Sequence, residues 1–543
     1  MQPSAQSVES LETVLAGIDR ALRPGGEQTH QTAASQLASK NRQANLDALR
    51  IRQGEESAAL RNFIPPPLEW VLGRDGYLTG RDAAGKWWSG TSIPLRVGRS
   101  LLQTLELTCS ASCFLGPTTA GQIRAALEKL RGEQAMIAVI PDMQTAAVIL
   151  YCDDFSSELK SGRLWLAAGP GWATGLWRIL SDFPGLAVPL QFIKTPLMSQ
   201  EALAEMMEVA NPTFGAEIKR RGELAEQIRD RLKTSEWRGK PPCVVMASNY
   251  RTWDFASLVL GRIAAGNKDW RRLDTDVPTS ASPLALAMAA EECGAVVTAD
   301  IFRADVGNVI PDAMPWITWV TRGRCAAFTQ GSADRVLLAD RNWIVRATEG
   351  GWPADRIAIA GWPELCAPSQ PRGKQIALIG DVAPIDPPEK LRDFSSHGLL
   401  WEGIAAELVE NPHMLGNDPD AYLNDRAQKL DIPGETLDRP LFMEKLILPC
   451  WRRGAVAALK CAGLNIRCFG EGWETKESVT SFDQLLAIAQ ESAALVCPVP
   501  TVEAHPVDAL NRPVIRAMKP ASTRPVTLPR LSAEQIAAIL ASA

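Results

Sequence analysis

Glycine and acidic residues follow predicted strands in the last third of the chain, where such residues could bind a ligand. Gly470 ends the predicted strand 464–470, and Glu471, Gly472 and Trp473 follow it directly. A glycine after a parallel strand lets a phosphate approach backbone N–H groups, and a neighbouring carboxylate can bind sugar or ribose hydroxyls. The indole face of Trp473 suits the C–H surface of a sugar ring. A tight turn that requires both glycines is the alternative explanation.

A second acidic loop follows the predicted strand 494–499. Glu503 and Asp508 could each hold a ribose or sugar diol, and the imidazole of His505 could meet a diphosphate. Carboxylates that merely cap a short helix are the alternative, since acidic residues are favoured at helix N-termini.

Phosphate chemistry would also need space and positive charge. Gly380 and Asp381 end the first predicted strand of the same block, and this glycine leaves space for an acceptor or a phosphate. Arg439, Lys445 and Arg452 lie on a predicted helical segment and could neutralise a leaving diphosphate. A solvated helix face is the alternative for these cations.

Two carboxylates in the middle of the chain could act as a general base. Asp254 follows the predicted strand 243–248 and opens the next helix, so it is equally suited to capping that helix. Asp305 lies in the loop after the predicted strand 295–301. Together with His505, these two residues are the candidates for catalysis.

The segment around residues 100–210 has the pattern of a nucleotide-binding or methyl-donor-binding fold with an altered glycine loop. After its first strand the sequence reads Gly-Pro-Thr-Thr-Ala-Gly (116–121) rather than GxGxxG. Pro117 removes a donor and stiffens the loop. Asp142 stands where an acid that binds ribose would follow the second strand, and Asp153-Asp154 is a further acidic pair. We therefore expect no cofactor in this segment.

Short apolar runs that alternate with helical stretches predict parallel α/β sheets. Leu11, Val14 and Ile18 recur at helical spacing ahead of this pattern. The sequence thus predicts an N-terminal arm that either joins copies of the chain into a homo-oligomer or covers the next domain. The predicted boundaries are 1–65 for the helical arm, 66–212 for a Rossmann-like domain, 213–365 and 366–518 for two further α/β domains, and 519–543 for a Pro-rich tail and returning helix.

Composition excludes several classes of protein. The 543 residues include 57 Lys and Arg against 62 Asp and Glu, a mildly acidic balance that argues against broad binding of nucleic acid. Eleven scattered Cys without a CxxC, and only 4 His, give no support for a metal site. Neither a signal peptide nor a membrane span is recognisable, so we expect a cytoplasmic protein.

Several segments resemble known glycosyltransferases. GGWPADRIAIAGWPE (350–364) looks like the end of the N-terminal domain in the GT-B fold. AGLNIRCFGEGWE (462–474), ALVCPVPTVEAHPVDALNRPVI (494–515) and DAMPWITWVTRGRC (312–325) resemble the CgeB-like spore-maturation glycosyltransferases of bacteria. CDDFSSELKSGRLWLAAGPGW (152–172) is similar to the methyltransferase-like region of Maf-like motility-associated glycosyltransferases.

The resemblance implies an α/β fold with an arm, a Rossmann-like (methyltransferase-like) domain and two Rossmann-like domains in GT-B arrangement. It further implies that 366–518 binds a nucleotide-sugar donor and 213–365 an acceptor, a glycan or a protein, with neither cofactor nor metal. Arg512 departs from the pattern, which has Gly before Pro-Val-Ile. The departure favours the alternative of a non-catalytic binding or scaffold protein. A methyltransferase is the third hypothesis, against which the altered glycine loop argues.

Overall fold

The fold is known from a computed structural model, in which the chain divides into two compact units. The first unit is Met1–Asp230 with Asp274–Met288, and the second is Arg231–Leu273 with Ala289–Ala543. The structure describes residues 26–130, 133–194, 198–237, 239–246, 255–307, 309–321, 324–363, 373, 375–382, 391, 395–416, 419–470, 472–474, 477, 479, 482–499, 507, 510, 512, 514–515, 534 and 536.

The first unit contains an antiparallel hairpin and a four-stranded parallel sheet. The hairpin pairs β1 (Glu69–Leu72) with β2 (Leu78–Arg81). The sheet has the order β5-β4-β3-β6 and is formed by β3 (Ala111–Leu115), β4 (Ala135–Ile140), β5 (Leu164–Ala168) and β6 (Gln191–Ile193). The helices are α1 (Gly26–Arg52), α2 (Gly54–Asn62), α3 (Pro94–Leu101), α4 (Ala120–Leu127), α5 (Met143–Cys152), α6 (Ser156–Ser161), α7 (Trp172–Asp182) and α8 (Gln200–Thr234), whose last residues belong to the second unit.

The central strands of this sheet are unbroken apolar runs. Every residue of β3, β4 and β5 is buried, as expected of parallel strands covered on both faces. The sequence predicts them at 112–116, 135–140 and 163–168, and the structure moves their ends by at most one residue. The next predicted strand, 187–192, is reduced to the short β6.

The helical arm covers the first sheet. Leu46 and Leu49 of α1 and Leu60 of α2 are buried in the same hydrophobic cluster as the strands. Asn45 donates to the carbonyl oxygens of Leu150 and Asp153, at 2.9 and 2.7 Å. Residues 26–62 therefore cover the adjacent sheet, and a homo-oligomer formed through the arm stays a prediction.

Gln53, between α1 and α2, takes the place of a neighbouring strand at the edge of this sheet. Its carboxamide donates to the carbonyl oxygen of Leu166 at 2.6 Å and accepts from the N–H of the same residue at 3.0 Å. Leu166 belongs to β5, the edge strand, so both of its edge-facing backbone groups are satisfied.

The predicted boundary between residues 212 and 213 lies inside α8. Pro212 usually would end a helix, yet α8 runs through it for 35 residues. Met206, Ala210 and Phe214 are buried against the first sheet on either side of this proline. Their burial offsets the lost backbone hydrogen bond, so the helix continues.

The first sheet of the second unit has six strands. They are β7 (Pro242–Met246), β8 (Arg271–Asp274), β9 (Ala295–Ala299), β10 (Trp316–Val320), β11 (Arg335–Leu338) and β12 (Ile357–Ile359), in the order β12-β11-β10-β9-β7-β8. The pairs β7–β9, β9–β10, β10–β11 and β11–β12 are parallel. Its helices are α9 (Phe255–Ala265), α10 (Pro283–Ala290), which begins in the first unit, and α11 (Ile344–Glu349).

A second parallel sheet follows in the same unit. Its order is β14-β13-β15-β16, formed by β13 (Ile376–Ile379), β14 (Ile466–Phe469), β15 (Ala494–Val496) and β16 (Val514–Ile515). A long helical segment joins β13 to β14. Its helices are α12 (Ser395–Glu410), α13 (Pro419–Gln428), α14 (Arg439–Phe442), the π-helical turn Met443–Ile447 and α15 (Leu448–Cys461); α16 (Phe482–Glu491) precedes β15.

The two sheets of the second unit share one hydrophobic cluster. Trp319 and Leu337 of the six-stranded sheet belong to it, as do Ile379 and Leu495 of the four-stranded sheet. The helical segment between β13 and β14 has its own cluster around Trp401, Phe442 and Trp451. The mixed α/β class with parallel sheets is confirmed, and the GT-B arrangement of the domains stays a prediction.

None of the described helices is both long and apolar enough to cross a membrane.

Candidate functional site

The predicted glycines and acid of the last block gather at the carboxyl-terminal edge of the sheet β13–β16. Gly380 and Asp381 follow β13, and Gly470, Gly472 and Trp473 follow β14. The strand that follows β13 in sequence, β14, lies on one side of it, and β15 lies on the other side. The order in which strands are added to this parallel sheet therefore reverses between β13 and β15. In open α/β sheets, ligands bind outside the strand ends at such a reversal.

Both glycines after β14 are required by a close approach of two chain segments. A Cβ on Gly470 (φ +135°) would lie 2.6 Å from the carbonyl oxygen of Gly380, and one on Gly472 (φ +86°) would overlap that of Val382. A backbone segment therefore fills the space beside these glycines. The tight turn accounts for both, whether or not a phosphate binds at the same edge.

Trp473 is fastened to the end of β13. Its indole N–H donates to the carbonyl oxygen of Gly380 at 2.7 Å. The ring is half-buried and packs beside Leu378, Cys468 and Val496 of the sheet. The side chain thus holds the turn after β14 against the strand ends, a contact that the sequence does not reveal.

Arg452 lies between the ends of β13 and β15. From α15 its guanidinium donates to the carbonyl oxygen of Asp381 and, at 2.9 Å, to that of Pro498. One turn further along α15, Val456 packs on the sheet among Leu378, Ile466 and Val496. Because residues four apart share a helix face, Arg452 lies on the face that covers the sheet.

The charge of Arg452 is only partly compensated. Burial lowers the pKa of its guanidinium to about 10, although the nearby carboxylate of Asp381 raises it. Its guanidinium donates to two neutral carbonyl oxygens, and no carboxylate among the described residues forms an ion pair with it. A half-buried cation of this kind favours an anion at its remaining N–H groups, because charges removed from water need an opposite charge.

The other two predicted phosphate ligands have different surroundings. Arg439 donates to the side-chain oxygen of Asn424 at 2.6 Å and lies 3.5 Å from a carboxylate oxygen of Asp420. Lys445 is exposed within the π-helical turn. Of the three cations, Arg452 is the one that contacts the segments following β13 and β15.

Five of the predicted site residues lie outside the part of the chain that the structure describes. They are Asp254, Glu471, Glu503, His505 and Asp508. Their roles as catalytic or donor-binding groups stay predictions.

Asp305, predicted as a general base, stabilises a local turn. Its carboxylate accepts from the N–H of Phe302 at 2.9 Å and from the guanidinium of Arg324 at 2.6 Å. Both contacts fix a short 3₁₀ turn after β9. The carboxylate of Asp305 thus has a structural partner in Arg324.

A neighbouring acid that the sequence predictions did not include is Asp300, the first residue after β9. It has φ +54°, unusual for a residue other than glycine. Its carboxylate accepts from the N–H of Thr321 at 2.7 Å and from the hydroxyl of the same residue. The available signal was the acid directly after the apolar run AVVTA; the backbone angle could not be read from the sequence.

Arg512, the departure from the resemblance, fastens the end of α16. Its side chain is buried, and it donates to the carbonyl oxygens of Ala489 and Gln490 at 2.7 and 3.4 Å. A cation is favourable there, since the last carbonyl groups of a helix carry partial negative charge.

In the first unit, backbone N–H groups of the loop after β3 donate to the side chain of a nearby residue. The carboxamide oxygen of Gln122 accepts from the N–H of Thr118 at 2.8 Å and from that of Thr119 at 3.3 Å. A Cβ on Gly116 (φ +57°) would overlap the methyl group of Met198. The backbone N–H groups of Thr118 and Thr119 are thus already paired.

The acids of this unit also have structural partners. Asp142 caps α5 by accepting from the N–H groups of Gln144 and Thr145, at 3.2 and 2.8 Å. Burial raises the pKa of Asp153, against the opposing effect of Arg124, which donates to it at 2.6 Å. Both carboxylates thus hold parts of the fold in place.

Among the residues that the structure describes, no group of three or more His, Cys, Asp or Glu could hold a metal ion.

Comparison with known proteins gives one solved structure to report. Neither a protein-family model nor a curated protein matches the chain. The chain is similar to the structure of the MAf glycosyltransferase from Magnetospirillum magneticum AMB-1, with 15% identity and a TM-score of 0.24. The match covers 55% of this chain and 63% of the other, so the chain spans less than two thirds of that protein. At this TM-score the likeness carries no argument about fold or activity.

Proposed function

We propose that the protein is a glycosyltransferase that moves a sugar from a nucleotide-sugar donor to an acceptor, a glycan or a protein. The observation that carries the proposal is Arg452, a half-buried cation between the ends of β13 and β15 whose charge is only partly compensated. The donor phosphate would bind at its remaining N–H groups. The two sheets of the second unit would then be the donor and acceptor domains of a GT-B arrangement.

Arg452 would act on the step in which the phosphate leaves. Negative charge grows on the leaving phosphate as the bond to the sugar breaks, and a donor already fixed in place stabilises that charge without reorganisation. Its bonds to the segments after β13 and β15 hold the guanidinium in a fixed orientation. Burial strengthens the attraction, since the surroundings screen charge less than water does.

The remaining predicted residues would bind the other parts of the donor. Glu471, Glu503 and Asp508 would accept hydrogen bonds from the hydroxyls of the ribose or the sugar, and His505 would lie near the phosphate. Gly380, Gly470, Gly472 and Trp473 would shape the edge on which the donor lies, since they hold the segments after β13 and β14 together.

Titration with nucleotide sugars tests the proposal. UDP-, GDP- and CMP-activated sugars are added singly in a calorimeter, and release of free nucleotide is followed in parallel. We expect saturable binding of one donor class, with slow nucleotide release as water replaces the acceptor. Absence of binding by all three classes would refute the donor site.

Two carboxylate variants assign the site within the last block. Glu503→Gln and Asp508→Asn should weaken donor binding, because each loses a charged acceptor for a hydroxyl. Glu402→Gln is the matched control, since Glu402 is exposed on α12. Equal affinities in all three variants and the unmodified protein would remove both acids from the donor site.

A non-catalytic binding protein on the same fold is the second candidate function. Arg512 favours it, because a side chain fastened to α16 stands where the resembling glycosyltransferases have glycine. Donor binding without nucleotide release, across a panel of glycan and protein acceptors, would establish this alternative. Binding of S-adenosylmethionine would instead support the methyltransferase hypothesis for the first unit.

A further inference from the structure

Asp300 has a backbone conformation that its residue type disfavours. It follows β9 directly, and its φ of +54° lies in the left-handed region, which glycine adopts without steric cost. An aspartate here therefore carries strain that glycine would not. Strained residues of this kind cluster at active sites and ligand sites.

The carboxylate of Asp300 is held in one orientation. One oxygen accepts from the N–H of Thr321 at 2.7 Å, and the other accepts from the hydroxyl of Thr321. Thr321 is buried and directly follows β10, the strand beside β9. The two residues thus fix a half-buried carboxylate across the ends of two parallel strands.

A second aspartate with nearly the same φ lies in a common setting for a left-handed residue. Asp431 has φ +53° and lies just beyond α13, where its N–H donates to the carbonyl oxygen of Gln428 at 3.1 Å. Left-handed residues commonly end helices, and Asp431 is exposed. Asp300 lies instead at the end of a buried strand, a place where no helix ending requires this conformation.

Asp300 also lies at the edge of the sheet on which ligands of open parallel sheets usually bind. In the strand order β8-β7-β9-β10, β8 lies on one side of β7 and β9 on the other. The order in which strands are added to the sheet therefore reverses between β7 and β9. The carboxyl-terminal edge at such a reversal is the usual ligand site of an open parallel sheet. Asp300 is the first residue beyond that edge on β9.

We propose that Asp300 is the catalytic carboxylate of the acceptor side, an inference that rests on the proposed function. Asp300 would take the proton from the acceptor hydroxyl as its oxygen forms a bond to the anomeric carbon. The bond between that carbon and the phosphate oxygen breaks, and its electron pair stays on the phosphate. Asp305, the other acid that follows β9, caps the short 3₁₀ turn there.

Two substitutions of Asp300 test the inference with separate readouts. Asp300→Asn should keep donor affinity and lower kcat for donor hydrolysis by about 100-fold or more, since removal of a general base has effects of that order. Asp300→Gly should lose activity in the same way and melt at or above the temperature of the unmodified protein. Asp431→Gly is the matched control and should relieve the same backbone strain with unchanged kcat.

Each other outcome has a definite meaning. Undiminished hydrolysis by Asp300→Asn, or loss of hydrolysis in Asp305→Asn alone, would overturn the inference while donor binding upholds the proposed function. A melting temperature of Asp300→Gly well below that of the unmodified protein would show that the carboxylate serves the fold. Absence of donor binding by the unmodified protein would overturn the proposed function and this inference with it.

Discussion

The parallel sheets at the two ends of the described chain have similar topology and differently filled ligand edges. In both β3–β6 and β13–β16 the first strand lies inside the sheet and the chain reverses beside it. In the first unit, Gln122 pairs with the backbone N–H groups of Thr118 and Thr119, and Met198 lies against Gly116. In the second unit, the same edge holds the partly compensated cation Arg452.

Two sheets of similar topology therefore differ in how well their edges suit a phosphate. Paired N–H groups gain little from a phosphate, because the ligand must replace hydrogen bonds that already exist. A buried cation without an ion-paired carboxylate gains more, because the ligand supplies charge that the protein lacks. A parallel sheet with a crossover topology therefore predicts where a ligand could lie, and under the proposed function the partly compensated charge of Arg452 marks β13–β16 as the sheet that would bind one.

Removal of Arg452 should have the largest effect on binding. We expect Arg452→Gln to weaken nucleotide-sugar binding by about 100-fold, since hydrogen bonds to charged groups are the strong ones. Unfolding in denaturant should change by less than about 1 kcal/mol, because the buried charge disappears together with its hydrogen bonds. Calorimetric titration and denaturant unfolding measure the two quantities.

Arg439→Gln is the control for this substitution. Arg439 lies in the same helical segment but pairs with Asn424 and Asp420. Donor affinity should stay within about twofold of the unmodified protein. A larger loss in Arg439→Gln than in Arg452→Gln would move the phosphate site away from the strand ends.

Alanine substitutions of one glycine from each edge should differ in stability. Gly470→Ala should lower the free energy of unfolding by about 2 kcal/mol, because its Cβ meets the backbone oxygen of Gly380 at φ +135°. Gly116→Ala should cost about 1 kcal/mol, because the atom in its way is the flexible end of Met198. Equal losses in denaturant unfolding would show that the turn after β14 can relax.

Loss of the Gln122 side chain should affect the fold and leave donor binding unchanged. Gln122→Ala removes half of the capping box of α4, which should lower the free energy of unfolding by about 1 kcal/mol. Gln103→Ala, at an exposed position of the same unit, is the control. If Gln122→Ala alters nucleotide-sugar affinity, the first unit takes part in donor binding.

The smallest expected effect is on the pH dependence of donor binding. Because burial lowers the pKa of Arg452 to about 10, its charge destabilises the unligated fold below that pH, and this cost is released as pH rises further. Donor affinity should be constant from about pH 7 to 9 and fall about two- to fourfold just above pH 10. Arg452→Gln should lack this step; an identical step in the variant would assign it to another group.

Much of the fold could be predicted from local apolar runs. The sequence predicts strands at 135–140 and 316–320, and β4 and β10 have these bounds because both are continuous buried segments. The hairpin β1–β2 was missed, since its strands are short and β1 has no buried residue. The uninterrupted helix α8 was missed because Pro212 indicates an ending that tertiary packing overrides.

The sequence predicted which residue types line the candidate donor site, but not which atoms these residues contact. Gly470 and Gly472 were expected at a strand end, but only the structure shows which backbone atoms lie beside them. Arg452 was one of three predicted cations, and the carbonyl oxygens that it contacts come from distant parts of the chain. Asp300 was missed because backbone strain leaves no mark in a single sequence.

A single titration series tests the donor site most directly. The unmodified protein and Arg452→Gln are each titrated with the UDP-, GDP- and CMP-activated sugars under the same conditions. The proposed function predicts saturable binding of one donor class by the unmodified protein and a loss of about 100-fold in the variant. Binding of no donor, or equal affinity in both proteins, would contradict a phosphate site at Arg452.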